Sequence, residues 1–216
     1  TLLQGVTGSG KTLVYIRLAQ ELLQRGKSVM ILVPEIALTP QLLGVLAAHF
    51  GDGVAVLHSS LPATERRDQW KRIREGKAGV VVGTRSAVFA PCDNIGLIIL
   101  DEEQEHTYKS DQNPKYHARD IARYRCATEN ALLLLASATP SLESFYKAKC
   151  GVYTLVPLRE RYGGVKLPDA IVVDMREELR LGNLSPISQR LHTLLDRVYE
   201  NGNQAILFLN RRGYST

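Results

Sequence analysis

The sequence predicts an α/β fold: a mostly parallel sheet with helices on both faces. Three observations carry that expectation. Short, nearly continuous apolar runs recur along the chain, the pattern of parallel strands covered on both sides. Stretches with helical apolar spacing lie between them, and such an alternation implies right-handed crossovers. The composition is that of a globular protein, with 216 residues of which 44% are hydrophobic and 23% charged, and it excludes collagen-like, coiled-coil and low-complexity chains.

Taken in order, the strands are expected at Leu2–Gln4, Ser28–Val33, Val54–His58, Gly79–Gly83, Leu97–Asp101 and Ala131–Ser137. Helices are expected at Thr12–Arg25, Pro40–Phe50 and Ala63–Glu75. In the first helix Leu13, Ile16, Ala19, Leu22 and Leu23 form one stripe. Pro40 and Pro62 stand where a helix begins. A second alternation starts near Pro168, with a strand at Ala170–Asp174, a helix at Ser185–Glu200 opened by Ser185-Pro186 and stopped by Asn201-Gly202, and a strand at Ala205–Leu209. The expected organisation is therefore one domain over residues 1–150, a linker over 151–167, and the start of a second domain over 168–216. The chain begins at Thr1 and ends just after a strand, so it reads as a piece of a longer protein.

The net charge of +5 is mild and evenly spread, which permits a nucleic-acid partner without indicating one. Cys92, Cys126 and Cys150 are widely separated and contain no C-x-x-C pair, which argues against a disulfide framework or a zinc cluster and fits a reducing cytoplasm. No apolar run approaches the ~20 residues of a membrane span, and no membrane partner is expected.

Gly5-Val6-Thr7-Gly8-Ser9-Gly10-Lys11-Thr12 matches G-x-x-x-x-G-K-T, follows a strand and opens an amphipathic helix. Gly5, Gly8 and Gly10 let successive backbone N–H groups, with those of Thr7 and Ser9, turn inward around phosphate oxygens. The helix N-terminus adds partial positive charge facing the same anion. Lys11 suits the β- and γ-phosphates of ATP, and the Thr12 hydroxyl suits Mg²⁺.

Leu97–Asp101 runs directly into Glu102 and Glu103. At the carboxyl end of a parallel strand these acids emerge where α/β sheets bind ligands. Asp101 is then a candidate for holding Mg²⁺, usually through water, and Glu102 for polarising an attacking water. The plain alternative is a solvated acidic loop, and its weight falls once the phosphate loop is present in the same chain.

Ser137-Ala138-Thr139-Pro140 closes the next strand, where superfamily 2 helicases carry a Ser-Ala-Thr segment linking the nucleotide and nucleic-acid sites. The chain also holds Val33-Pro34-Glu35-Ile36-Ala37-Leu38-Thr39-Pro40-Gln41, His58-Ser59, Gly83–Pro91 and Leu209-Asn210-Arg211-Arg212-Gly213-Tyr214-Ser215. With these motifs it resembles, over essentially its whole length, the bacterial replication-restart helicases of the primosomal protein N′ family. The resemblance implies a RecA-like P-loop NTPase domain followed by the start of a second. It implies ATP-driven 3′-to-5′ movement on DNA, single-stranded and forked DNA as partners together with other primosome proteins, and a bacterial cytoplasmic setting. Zinc is implied for the longer protein but not for this stretch. The expected arginine finger lies outside the chain, so the isolated piece is expected to turn over ATP poorly. The family's usual Asp-Glu-Glu-His is here Asp101-Glu102-Glu103-Gln104, which leaves open whether Gln104 or His106 takes the coupling role.

By the same resemblance, Thr107–Lys109 and Asn113–Asp120 correspond to an aromatic-rich loop that senses DNA, with Tyr108, Lys109 and Tyr116 as candidates; stacking on bases and cation contacts give it a physical basis. Tyr116 and His117 could equally pack beneath a helix over Ala118–Cys126. Glu35, Thr39 and Arg85 are implied to face the DNA backbone, and Gln104, Ser137 and Thr139 to couple the two sites. The basic cluster from Arg66 to Lys77 reads as a solvated helix face, with Trp70 anchoring it to the core. Two other readings compete. A restriction-type motor shares the phosphate loop and Ser-Ala-Thr, and the Asn210–Tyr214 segment argues against it. A catalytically silent recruitment module is separated by ATPase assays with and without single-stranded DNA.

Overall fold

The computed structural model describes residues 1–161 and 168–208. Two compact units divide the chain, Thr1–Lys166 and Leu167–Thr216. The first is a seven-stranded sheet built from β1 (Leu2–Gly5), β2 (Ser28–Leu32), β3 (Val54–Leu57), β4 (Val80–Gly83), β5 (Ile95–Asp101), β6 (Leu132–Ser137) and β7 (Leu155–Leu158). The strand order is β3-β4-β2-β5-β6-β1-β7 and every neighbouring pair is parallel. The helices are α1 (Lys11–Gln24), α2 (Pro40–Phe50), α3 (Ala63–Arg74), α4 (Ala118–Glu129) and α5 (Leu142–Lys149).

The continuous apolar strands are explained by two core layers. Successive side chains of a strand point to opposite faces. Val29 and Ile31 of β2 and Leu97 and Ile99 of β5 pack with Tyr15, Ile16 and Ala19 of α1. Met30, Leu32, Ile98 and Leu100 pack with Tyr108 and with Ala118 and Ala122 of α4 on the other face. The central strands β2, β4 and β5 are buried on both faces, so they need no polar side.

Several expectations change. Leu155–Leu158, read as linker, forms β7 and pairs with β1, which has no other neighbour on that side. Helix α5 was not foreseen; Ser141 caps it by accepting from Ser144 N–H. Trp70 does not anchor α3: it is 39% exposed, and Ile73 is the side chain that α3 buries. The rest of that helix is a solvated face, with Lys71 and Lys77 paired to Glu75.

The second unit contains α6 (Met175–Arg180) and α7 (Gln189–Glu200). Helix α7 begins after Ser188, whose hydroxyl accepts from Leu191 N–H, rather than at Ser185-Pro186. Residues 170–174 and 205–208 are not strands. A strand needs a neighbour for its backbone groups, and the described residues of this unit supply none. Leu209 and the Asn210–Ser215 motif lie outside the described residues, as do 162–167 of the expected linker. Among the described residues no helix is long and apolar enough to cross a membrane.

One polar knot ties three segments of the first unit together. The Glu103 carboxylate is fully buried and accepts from Arg119 (3.1 Å), from Ser141 N–H (2.7 Å) and Oγ (3.2 Å), and from Ser144 Oγ (2.9 Å). It thus joins the end of β5 to the starts of α4 and α5. Buried carboxylates are tolerated when paired and fully hydrogen-bonded in this way, and losing one partner strands the others. Glu103→Ala is expected to destabilise the unit by about 3–5 kcal/mol, read as a drop in the denaturation midpoint. Gly83 is a packing constraint of another kind: a Cβ there would collide with the Leu57 carbonyl and meet Ala87 Cβ at 2.5 Å. Gly83→Ala should cost about 1–3 kcal/mol by overpacking, and an unchanged melting temperature would contradict the close approach.

Candidate functional site

The carboxyl ends of β1, β5 and β6 lie side by side. Gln4 pairs with Ser137, and Asp101 with Ala136. The phosphate-loop sequence, the acidic residues and Ser137–Thr139 are therefore brought to one edge of the sheet, although more than a hundred residues separate the first from the last.

Gly8 and Gly10 have φ of +79° and +84°, the left-handed region that side chains disfavour. A Cβ on Gly5 would meet Ser9 Oγ at 2.6 Å and Lys11 Cγ at 3.0 Å, so a side chain there would displace two residues of the loop. Gly10 is the N-cap of α1 and offers no side-chain cap, which leaves the first N–H groups of the helix facing the loop. Ser9 Oγ is buried and has no hydrogen-bond partner in the protein. A cradle of free donors ahead of a helix N-terminus fits a phosphate chain.

A pocket of about 650 Å³ is lined by Val6 through Leu13, by Asp101 and Glu102, and by Thr39, Leu42, Val45 and His49 from the start and face of α2. Lys11 Nζ donates to Gly5 O at 3.1 Å and lies 3.6 Å from Glu102 Oε1. Glu102 has a left-handed backbone, φ 45°. Such a residue costs on the order of 1 kcal/mol or more, and here Glu105 N–H bonds back to Glu102 O while Glu103 is locked in its knot. Gln104 Nε2 donates to Glu102 Oε2 at 3.0 Å, so Glu102 is held from both sides.

Asp101 is supported by two tyrosines. Tyr15 OH donates to Asp101 Oδ1 at 2.7 Å, and Tyr108 OH shares its one proton between the Asp101 carbonyl at 2.6 Å and the Leu32 carbonyl at 2.9 Å. Burial pushes the Asp101 carboxyl above the ordinary carboxylate range, opposed by the Tyr15 hydrogen bond. Burial, then the Asp101 charge, drives the Tyr15 hydroxyl far above its usual value, so it remains a donor. A hydroxyl at Thr12 and a carboxylate at Asp101 are hard oxygen donors. Two such protein groups beside a phosphate cradle suit Mg²⁺, which keeps water and phosphate among its ligands. Among the described residues no group of three or more His, Cys, Asp or Glu side chains could hold a metal ion.

A second pocket, of about 540 Å³, gathers Glu35, Ser59, Arg66, Arg85, His106 and Lys109 among its lining residues. Ser59 Oγ donates to Glu35 Oε1 at 2.8 Å. The Arg85 guanidinium donates to Thr107 O and Lys109 O and stands 5.9 Å over the Tyr116 ring, which meets Phe89 edge-on at 5.0 Å.

This geometry divides the residues singled out in the sequence. Gly5, Thr7, Gly8, Ser9, Gly10, Lys11, Thr12, Asp101 and Glu102 converge around or directly beside the first pocket, and Glu35, Arg85 and Lys109 line the second. Thr39 does not join them: it lines the first pocket and caps α2 by accepting from Leu42 N–H at 3.2 Å. Tyr108 is 1% exposed and cannot stack on a base; its hydroxyl is spent on two carbonyls. Ser137 is buried, accepting from Thr139 N–H at 2.8 Å. Gln104 reaches Glu102, whereas His106 is exposed in the second pocket. His117 caps α4 by accepting from Arg119 N–H, and burial lowers its pKa. The sequence reading missed Tyr15 and the Glu103–Arg119 pair. Tyr15 follows Thr12 by one helical turn, which was a usable signal for the site, while nothing local marks Arg119 as the partner of Glu103.

A family model described as DEAD/DEAH box helicase matches residues 1–148. The chain is 47% identical over 215 residues to the replication restart protein PriA of Bacillus subtilis, covering 100% of this chain and 27% of that protein. It is 47% identical over 211 residues to the PriA of Treponema pallidum, covering 98% of this chain and 31% of that protein. The chain thus spans under a third of the length of these two relatives. Among solved structures, RecG bound to a three-way DNA junction superposes with a TM-score of 0.55 at 26% identity, over 76% of this chain and 21% of that one. The helicase domain of Pyrococcus furiosus Hef gives a TM-score of 0.54 at 22% identity, over 76% and 35%, and shows the fold alone. The parallel sheet is the RecA-like sheet of these helicases. With its phosphate loop, acidic strand end and Ser-Ala-Thr all inside the matched residues, the chain belongs to the DEAD/DEAH box helicase family.

Proposed function

We propose that this chain is the ATP-binding motor part of a bacterial DNA helicase that moves 3′ to 5′ and acts in the restart of stalled replication forks. The observation that carries the reading is the shared pocket: the phosphate loop, Asp101 and Glu102 line one cavity in a chain similar along its whole length to replication restart proteins. The second pocket, with Arg85 and Lys109, is the proposed track for the single-stranded DNA backbone, and Tyr116 the aromatic beside it. Residues 1–150 are assigned to the first RecA-like domain and residues from 168 to the start of a second, which in the longer protein is expected to supply the arginine finger. Primosome proteins are the expected partners and the bacterial cytoplasm the expected setting.

In the mechanism, the loop N–H groups and the N-terminus of α1 hold the phosphates of ATP. Thr12 and Asp101 would hold Mg²⁺, which when bound neutralises charge on the transferring phosphoryl group. Lys11, now between Gly5 O and Glu102, swings its charge onto the outer phosphates. That release frees Glu102 to orient and polarise the attacking water, with Gln104 steadying its other oxygen. Gln104 donates to Glu102 and its buried side-chain oxygen has no hydrogen-bond partner in the protein, and it is the residue we assign to coupling in place of the usual His. A DNA backbone at Arg85 would act on Thr107 and Lys109 through the hydrogen bonds already described. Phosphate contacts of this kind carry no sequence information, so DNA binding should be sequence-independent and sensitive to salt.

The test is ATP turnover with and without single-stranded DNA in the intact protein. Lys11→Ala should lose nucleotide binding and turnover together. Glu102→Gln should lower turnover by roughly 10²–10⁴-fold while a fluorescent nucleotide still binds. Retained turnover in Glu102→Gln would remove it from the chemistry. Lys109→Ala should weaken single-stranded DNA binding alike on all sequences and reduce the slope of log K against log salt by about 0.7, measured by anisotropy titration.

A further inference from the structure

We infer that Tyr15 selects the cation of this site, by occupying one oxygen of Asp101 so that the carboxylate can offer only the other. The inference rests on the nucleotide-pocket reading above and adds to it a residue outside the phosphate-loop and acidic motifs. Asp101 Oδ1 already accepts two hydrogen bonds, from Tyr15 OH at 2.7 Å and from Glu102 N–H at 3.1 Å. A carboxylate oxygen has two in-plane acceptor positions, so both of those on Oδ1 are taken. Oδ2 accepts no hydrogen bond from the described side chains and is the oxygen left for a cation or for water on a cation. The donors are fixed. Tyr15 is 2% exposed on α1, its ring wedged into the core layer beside Ile16 and Ala19, and Glu102 N–H is part of the backbone.

The consequence follows from how the two common divalent ions use carboxylates. Mg²⁺ is small, octahedral and slow to give up water, and it takes carboxylates through one oxygen. Ca²⁺ is larger and readily takes both oxygens of one carboxylate. A carboxylate with Oδ1 blocked serves the first ion fully and denies the second its chelate. Tyr15 is thus a positioning and specificity residue acting through Asp101. Tyr108 makes a useful contrast, because its hydroxyl grips the Asp101 carbonyl and leaves the carboxylate alone.

The experiment compares the protein with its Tyr15→Phe and Tyr108→Phe variants, using a fluorescent non-hydrolysable ATP analogue titrated in Mg²⁺ or in Ca²⁺. The ratio of the two affinities is the readout, and comparison with the unmutated protein cancels the analogue's own preference between the ions. Tyr15→Phe should lower the Mg²⁺ preference by roughly three- to tenfold, the worth of one hydrogen bond, while Tyr108→Phe leaves the ratio unchanged. An unchanged ratio in Tyr15→Phe, or an equal fall in both variants, overturns the proposal. If the unmutated protein shows no cation-dependent binding of the analogue, the nucleotide-pocket reading fails with it. A crystal structure of the unmutated protein with the analogue and Mn²⁺ gives a reading that does not depend on any variant folding. Tyr15 OH should still meet Oδ1 there, and a cation seated on Oδ1 overturns the proposal.

Discussion

The in-register pairing of β5, β6 and β1 is the constraint on which the rest of this structure depends. Parallel strands all expose their carboxyl ends at the same edge, and the loops that leave those ends must share the space above it. Asp101 opposite Ala136, and Ser137 opposite Gln4, set the acidic motif, Ser-Ala-Thr and the phosphate loop next to one another. A slip of one residue would move every side chain of β5 to the other face of the sheet and carry the Asp101 carboxylate away from the phosphate loop. The purely apolar strands make that register costly to change, because both faces are buried and each side chain has a fitted position.

Above that edge the polar groups are arranged so that each acid has a separate duty. Asp101 keeps one oxygen free while Tyr15 and a backbone N–H hold the other. Glu102 is suspended between Lys11 and Gln104 in a left-handed conformation. Glu103 turns inward and serves the fold, tying α4 and α5 to β5. Three consecutive acids thus have three environments: one oxygen of Asp101 held by Tyr15 and a backbone N–H, Glu102 between Lys11 and Gln104, and Glu103 buried in its knot. The knot at Glu103 also keeps the strained backbone of Glu102 in place, since its neighbour cannot rotate without breaking four hydrogen bonds.

The two pockets lie on connected elements. The loop after β5 carries Glu102 and Gln104 on the nucleotide side and His106 and Lys109 on the other, and Tyr108 between them is pinned to Leu32 and Asp101. The buried tyrosine makes this short stretch a stiff link rather than a slack loop. That accounts for the disagreement over Tyr108, which resembles a base-stacking residue by position and acts as an internal strut.

What the sequence determined by itself was whatever depends on neighbours along the chain. Continuous apolar runs and helical spacing located β1 to β6 and α1 to α4 within a few residues, and glycines at the positive-φ positions of a G-x-x-x-x-G-K-T turn marked the phosphate loop. Thr39 was noticed by motif for the DNA side, but it lines the first pocket and caps α2 there by accepting from Leu42 N–H. Strand β7 escaped notice because Pro157 and the glycines beyond it look like linker, and only the free edge of β1 makes Leu155–Leu158 a strand. Trp70 was expected inside on hydrophobicity, but α3 buries a narrow face at Ile73. The Tyr15–Asp101 and Glu103–Arg119 pairs, 86 and 16 residues apart, were decided by tertiary structure alone. A hydrogen bond selects its partner by distance and direction in space, and those are known only after the sheet has set the strands side by side.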